Sequence, residues 1–499
     1  MRHRPTLGSS FFRAVVPTMI ATGTIALTAA PALAKPYTLE ELLALAQRTN
    51  PGVAAGAHAT RRVEAQLSEA NRSWLPTGEL LSLFAPVPDI HCDAASVSGA
   101  DGKPVNAKDY CLHTNVTETS TRFSGIFTRT EVHLTQPIFT FGKISAGREA
   151  ATKGVAASKS QEAGIAADVA LNVRRAYYGI KLAKAILETF DEGTEYLDDA
   201  QKRIEKQLAE GNGAATPTDR LRLKVVRADI DSRRLEAEKL GGDARAGLRA
   251  LMGPEAPPDL DVDGEELAAV EVPSLSLTHY QEEARAHRPE VNALNNLVAA
   301  KRSLANLERN KQFPDLVLIG SATYARANSI DDPQNAFLND PFNVTGFGLA
   351  AAVRLPLDLG VRNARAEQAA AEADETEMKR RDALAGIGFE VARAYGSLNE
   401  AQKRLVAVRT GERAAKAWIT AVSQNFAAGL AETKDSQDAL VQFFSFRVRV
   451  LQAEFDVNIA AATLGRTTGT IVTAGGTKTD DAEKKTPGPT AARESNPKK

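Results

Sequence analysis

Two cysteines, seven histidines and four methionines are all that 499 residues contain. Soft ligands this sparse, and scattered histidines, give no basis for a dedicated metal centre or a cofactor. No nucleophile motif and no glycine-rich phosphate loop occurs, so nothing points to an enzyme or a nucleotide-driven motor. Excess charge is missing too: 61 basic residues stand against 62 acidic ones, a net charge of -1 that leaves no electrostatic footprint for nucleic acid. Beyond the first 34 residues no apolar run reaches the ~18 residues of a transmembrane helix. Proline is absent from two long stretches, 143–211 and 362–428.

The two ends have compositions of their own. Arg2, Arg4 and Arg13, an apolar run from Ala14 to Ala30 and the triplet Ala32-Leu33-Ala34 form the layout of a secretory signal over residues 1–34, with a mature chain starting at Lys35. No Cys follows the cleavage site, so no N-terminal lipid is indicated. Residues 471–499 are expected to be a disordered tail, rich from Gly475 onward in Lys, Asp, Glu, Pro, Gly and Thr. In an exported chain the pair Cys92 and Cys111 most simply forms a disulfide closing a loop. His91 and His113 flank them, which leaves a Cys/His metal site as the alternative.

What is present is a duplication. Pro51 and Pro289 lie 238 positions apart, as do Pro76 and Pro314; Gly142 and Gly360, and Tyr177 and Tyr395, lie 218 apart; Gly213 and Gly429, Asp219 and Asp435, and Gly253 and Gly469 lie 216 apart. A period of this size is too long for one turn of a solenoid, so each half is a large unit of several elements. The first repeat covers 35–253, a Pro-rich linker 254–275, and the second repeat 276–470.

Each unit opens with a helical pattern broken by a proline, Thr38–Arg72 and Leu277–Asn310. Strand-like runs and polar loops follow: Glu79–Phe84 and Thr130–Phe139 in the first half, Leu316–Tyr324 and Phe347–Leu355 in the second. Alternating strands of this length with polar loops between them match outer-membrane barrel strands, although a single hairpin packed on a helix has the same pattern. Very long helices then begin near Gly142 and Gly360, each reaching on the order of 100 Å. Leu398, Leu405, Ile419 and Phe426 fall on one seven-residue series, broken by Glu412, and Ala401, Val408, Ala415 and Val422 form its companion. The first half repeats them as Ile180 and Leu187, and as Ala183, Phe190, Leu197 and Ile204. A seven-residue seam means coiled-coil packing. The long helices reverse at GAATPTD, Gly213 to Asp219, and GLAETKD, Gly429 to Asp435.

The stretches TLEELLALAQRTNPGV, SWLP and TQPIFTFG, the two Gly-to-Asp turns, and the second-half counterparts RPEV, QFPDL and RLPLDLG resemble the TolC family of outer-membrane efflux proteins over nearly all of the mature sequence. The fold class is therefore mainly α with β: a duplicated strand pair plus long antiparallel coiled-coil helices. Four strands cannot close a channel-wide barrel, but three chains supply twelve, and closure satisfies every edge. The resemblance implies a homotrimer in the outer membrane of a Gram-negative bacterium, a twelve-stranded barrel continued by a periplasmic helical tunnel. Its implied partners are a periplasmic adaptor and an inner-membrane ABC or proton-driven pump. It also puts the strand-connecting loops, and with them Cys92 and Cys111, outside the cell.

In the family, acidic residues after the second Gly turn ring the periplasmic entrance, and Asp435 and Asp438 match them; Asp219 is the first-half counterpart of Asp435, while Arg222 occupies the place equivalent to Asp438. Thr216-Pro217-Thr218-Asp219 reads first as a helix N-terminus, with an N-cap Thr and an acid three residues on. A Tyr and an Arg that latch the family's closed entrance align with Phe426 and Ala431, which cannot make the same bonds. Gln424, Asn425 and Lys434 are the candidates for other entrance contacts.

The expected function is a passive exit duct whose energy comes from the inner-membrane partner, serving efflux or type I protein secretion. A periplasmic adaptor is the alternative, but it would carry one helical hairpin, not two copies of strand pair plus helix pair. A non-membrane coiled-coil scaffold is the other, and it would not need the strands.

Overall fold

The computed structural model describes residues 36–89, 123–211, 216–258, 260–264, 266–330, 340–427, 433–471 and 473. The signal segment, both cysteines with His91 and His113, Gly213, Gly429 and Ala431 lie outside the described residues.

Strand β1 (Pro36–Tyr37) leads into helices α1 (Leu39–Thr49) and α2 (Pro51–Arg72). Thr38 and Glu41 close a reciprocal capping box at the start of α1. Pro51 has no N–H to continue α1, and Asn50 turns the break into a new start. Its Oδ1 accepts from the Gly52 and Val53 amides at 2.8 and 3.1 Å, and its Nδ2 donates to the Leu251 carbonyl at 2.7 Å. Strands β2 (Thr77–Val87) and β3 (Gly125–Phe139) follow, then α3 (Lys143–Glu210) and α4 (Pro217–Met252). A short 3-10 turn and β4 (Asp261–Val262) occupy the linker. The second unit repeats the order with α5 (Leu277–His287), α6 (Pro289–Asn310), β5 (Asp315–Ala327), β6 (Val344–Arg354), α7 (Leu359–Ala427) and α8 (Thr433–Thr468).

All four long strands form one antiparallel sheet in the order β2-β3-β5-β6, so the two halves meet where β3 pairs with β5. Strands β2 and β6 are its unpaired edges. The alternation expected along β3 as far as Phe139 is interrupted: the register with β5 shifts between Pro137 and Phe139, skipping Ile138 just after a residue that has no N–H for the ladder.

Below the sheet, α3 and α7 are 68 and 69 residues long and run the length of the molecule. Near the sheet they pack with α2 and α6; farther down, α4 pairs with α3, α3 with α8, and α8 with α7. Most described members of the seven-residue series lie on this seam. Ala183, Phe190, Leu197 and Ile204 are buried, as are Ala401, Ala415 and Val422, with Leu398 and Leu405 in the second-half core beside Val450, Ala453 and Val457. The first-half core gathers Leu42, Val173, Tyr177, Ile180, Leu248 and Met252, and reaches into the linker through Leu260 and Val262.

The linker is built into the fold. β4 pairs in parallel with β1, and Lys184 Nζ donates to Asp261 Oδ2 and the Val262 carbonyl at 2.8 and 3.1 Å. Buried Lys181 holds Asp263 at 2.7 Å. Farther on, the Asn458 amide of α8 bridges the Ala268 carbonyl and the Val270 amide. This segment thus straps α3 to α8. Ile471, placed in the expected tail, packs onto the first-half core.

Candidate functional site

Two features stand out as candidate sites: the surface of the sheet and the helix ends farthest from it.

Strand register sorts the sheet residues into two faces. One gathers Leu80 and Phe84 of β2, Val132 and Leu134 of β3, Leu318, Ala322 and Tyr324 of β5, and Phe347, Leu349 and Val353 of β6. Its large side chains are bare, Phe347 being 95% exposed. No charge interrupts this face until Arg326, near the end of β5. The opposite face carries every charge of the mid-sheet, with Glu79, Arg129, Glu131 and His133 beside Ser321, Thr323, Gly346 and Gly348, and only Leu81 and Leu83 of β2 as large exposed apolar side chains among them. An aqueous protein cannot leave such a charge-free aromatic surface uncovered, whereas hydrocarbon on one side and water on the other suit this split. Among the described residues no helix is long and apolar enough to cross a membrane.

At the first tip, the local sequence makes a helix start. Thr216 caps α4 with Pro217 at its first position, and Asp219 completes a capping box. The Asp219 amide donates to Thr216 Oγ1 at 3.3 Å, while Thr216 returns its own N–H and O–H to Asp219 Oδ2 at 2.9 and 2.6 Å. Arg222 lies 3.6 Å from the other carboxylate oxygen. The Thr216 hydroxyl, aided by its backbone N–H and by Arg222, holds the Asp219 carboxyl below the ordinary aspartate value, against a smaller opposing effect of burial. Both oxygens of Asp219 are engaged within the cap.

The second tip places its acids on a helix start of its own. Helix α7 runs to Ala427 and so carries Phe426 in its last turn, with Gln424 and Asn425 exposed just before it. Helix α8 begins at Thr433, and Lys434, Asp435 and Asp438 are exposed on its first two turns. Between the two acids Gln437 is buried, and neither of its amide atoms has a hydrogen-bond partner. That buried amide was not legible in the sequence, where Gln437 looks like one more polar residue of a solvated turn. The sequence alternation sets Glu131 and His133 on one side of β3; Arg129 and, across the strand pairing, Glu79 join them in the structure.

Among the described residues no cluster of His, Cys, Asp and Glu is placed to hold a metal ion.

A family model described as outer membrane efflux protein matches residues 112–254 and 281–470. Among solved structures, the outer-membrane channel OprN superimposes with a TM-score of 0.67 over 87% of this chain and 90% of its own, at 16% identity. The outer-membrane protein VceC of Vibrio cholerae gives 0.66 over 86% and 96%, also at 16% identity. The MtrE outer-membrane channel of Neisseria gonorrhoeae, solved in an open state, gives 0.66 over 87% and 90% at 17% identity. At these identities the likeness to solved structures is one of fold. No curated protein sequence matches the chain.

Proposed function

The chain belongs to the outer membrane efflux protein family, and on that premise we propose that three copies form one continuous exit duct across the outer membrane and the periplasm. The open sheet carries this reading. Edges β2 and β6 run antiparallel to each other across the order β2-β3-β5-β6, so β6 of one copy can pair with β2 of the next in the same sense. Three copies then close a barrel with no free edge. From Leu316 to Tyr324 the charge-free face spans about 27 Å along a strand and about 20 Å once tilted, comparable with the ~25 Å apolar band of outer-membrane barrels.

The helical wall has matching free sides. Leu221, Val225 and Leu235 are exposed on α4, and Met378, Phe389 and Val406 on α7. Helix α4 stands at one side of the lower wall and α7 at the other, so α4 of one copy can cover α7 of its neighbour. In this assembly the strand-connecting loops face outside, and a Cys92–Cys111 disulfide fits that side. The helical tips reach into the periplasm, where an adaptor and an inner-membrane pump would meet them. Asp435 and Asp438, in three copies each, would ring the entrance and favour cations. Asp219 belongs to the same end of the duct, its charge tempered by Thr216 and Arg222. The chain supplies a path, and the partner pump supplies energy and selects the cargo.

The test is purification in detergent from outer-membrane fractions, native mass measurement, and conductance after insertion into planar bilayers. A trimer with unitary conductance is the expected result. A monomer in the soluble fraction, without conductance, would refute the assignment and favour a coiled-coil scaffold.

A further inference from the structure

Strand β3 carries Arg129, Glu131 and His133 at alternate positions, and the register sets Glu79 of β2 directly opposite His133. Arg129 Nε donates to Glu131 Oε1 at 2.8 Å, and His133 Nε2 lies 4.0 Å from Glu131 Oε2. The other strand neighbouring β3 adds no charge: β5 sets Thr323 opposite Glu131 and Ser321 opposite His133, with Gly346 and Gly348 of β6 beyond them. The middle of the polar face therefore holds one compact charged group on two strands, bordered by small, uncharged residues on the other two.

We propose that this group forms a second selectivity element of the duct, a cation-favouring ring inside the barrel, separate from the helical tips. The inference rests on the trimeric-channel reading. Two carboxylates, Glu79 and Glu131, outweigh the single guanidinium of Arg129, and three copies repeat the surplus around the axis; a protonated His133 would offset it. Geometry decides whether such charges are felt by a passing ion. Twelve strands at a spacing of ~4.8 Å and a tilt of about 40° close at a backbone radius of roughly 12 Å. Side chains reaching about 6 Å inward bring the charge within about 6 Å of the axis, inside the ~10 Å Debye length at 0.1 M salt and well outside the ~3 Å at 1 M. The ring therefore acts at low ionic strength and is screened out at high.

Reversal potentials of the full-length protein in planar bilayers, under potassium chloride gradients near 0.1 M and near 1 M, test the assignment. Glu79→Gln should lower the cation-to-anion permeability ratio at low salt by about twofold, Arg129→Gln should raise it by a similar factor, and both differences should vanish near 1 M. A purely structural role would not shift the ratio in opposite directions. If Arg129→Gln does not assemble, Glu79→Gln on the exposed edge strand, together with His133→Lys, which should also lower the ratio, still decides. Conducting channels with unchanged ratios would overturn the ring and leave the duct standing; wild-type protein that never conducts would overturn both.

Discussion

Arg466 Nε donates a hydrogen bond to Asp168 Oδ1 at 2.7 Å, joining the last turn of α8 to α3 across 298 positions of sequence. The same guanidinium also bonds Glu290 of α6. Arg288, at the junction of α5 and α6, holds Glu290 at 3.1 Å and Glu390 of α7 at 2.7 Å. One ionic group, its two guanidinium groups buried and its carboxylates partly exposed, thus ties the two repeats together. Arg466→Ala should strip Glu290 of its main partner. Because Asp168 is 60% exposed and can return to water, the loss should sit at the low end of the range for broken buried pairs, about 3 kcal/mol. A lower temperature for loss of the native assembly on semi-native gels, beside a near-neutral control such as Lys202→Ala, checks it.

The same group sets an acid response. Burial pushes the Glu290 carboxyl up, but the hydrogen bond and charge of Arg466, with Arg288 beside it, outweigh burial and hold it below its ordinary value of 4.5. A carboxyl depressed in the folded state contributes stability that is complete above its unfolded value and is lost as pH falls through its folded one. This contribution should therefore be intact from neutrality down to about pH 5 and fade below 4.5. Glu290→Gln should be less stable than wild type at pH 7, with the gap narrowing in acid; a gap constant from pH 7 to pH 3 would contradict this. Unfolding midpoints at several pH values provide the measurement.

At the tips, the two repeats should respond differently to loss of the acid. Asp435→Asn with Asp438→Asn should reduce cation preference in bilayer conductance, and unchanged selectivity would remove the entrance-ring assignment. Asp219→Asn should alter selectivity less and weaken the α4 start instead, by about 1 kcal/mol, the usual scale of a lost helix cap. Proteolysis near the first tip reads that local loosening.

Gly469 ends α8 at φ 81°, and a Cβ there would lie 2.7 Å from the Arg288 Cα. Gly469→Ala combines a left-handed backbone penalty of about 1–2 kcal/mol with a clash against main chain that cannot swing away. It should destabilise more than Gly247→Ala, where nothing lies within 4 Å of the added carbon. Comparing the two thermal midpoints settles the order.

Cys92 and Cys111, if oxidised to each other, should resist alkylation in the native and denatured protein until a reductant is added, and then take up two labels. Two labels without reduction would exclude the disulfide and return the metal-site alternative, which zinc analysis of the purified protein would then address.

Local pattern carried most of the helical architecture. The shared offsets located both Pro breaks, both long helices and both terminal glycines, Gly253 and Gly469, because each is dictated by backbone chemistry within a few residues. Heptad spacing named Ala183, Phe190, Leu197 and Ile204 as seam residues for the same reason. Legibility ended where contacts depend on register between distant segments. Glu79 meets His133 only through strand pairing, β3 meets β5 across the boundary between repeats, and the register shift after Pro137 breaks an alternation that looks uniform in sequence. The group around Arg466 draws on four helices, none of which signals the others. At the tips the sequence read Asp219 as either a cap or an entrance acid; its hydrogen bonds give the cap a definite geometry.

The unpaired strands β2 and β6 also bear on how the molecule comes into being. A solitary copy offers eleven residues of open backbone on each side of a bare aromatic surface, a template for any extended chain it meets. Time spent alone in water is thus the hazardous interval in this protein's life. Encounter with its own kind and entry into lipid gain from being concurrent, and escorts that mask strand edges would govern the yield of finished channels.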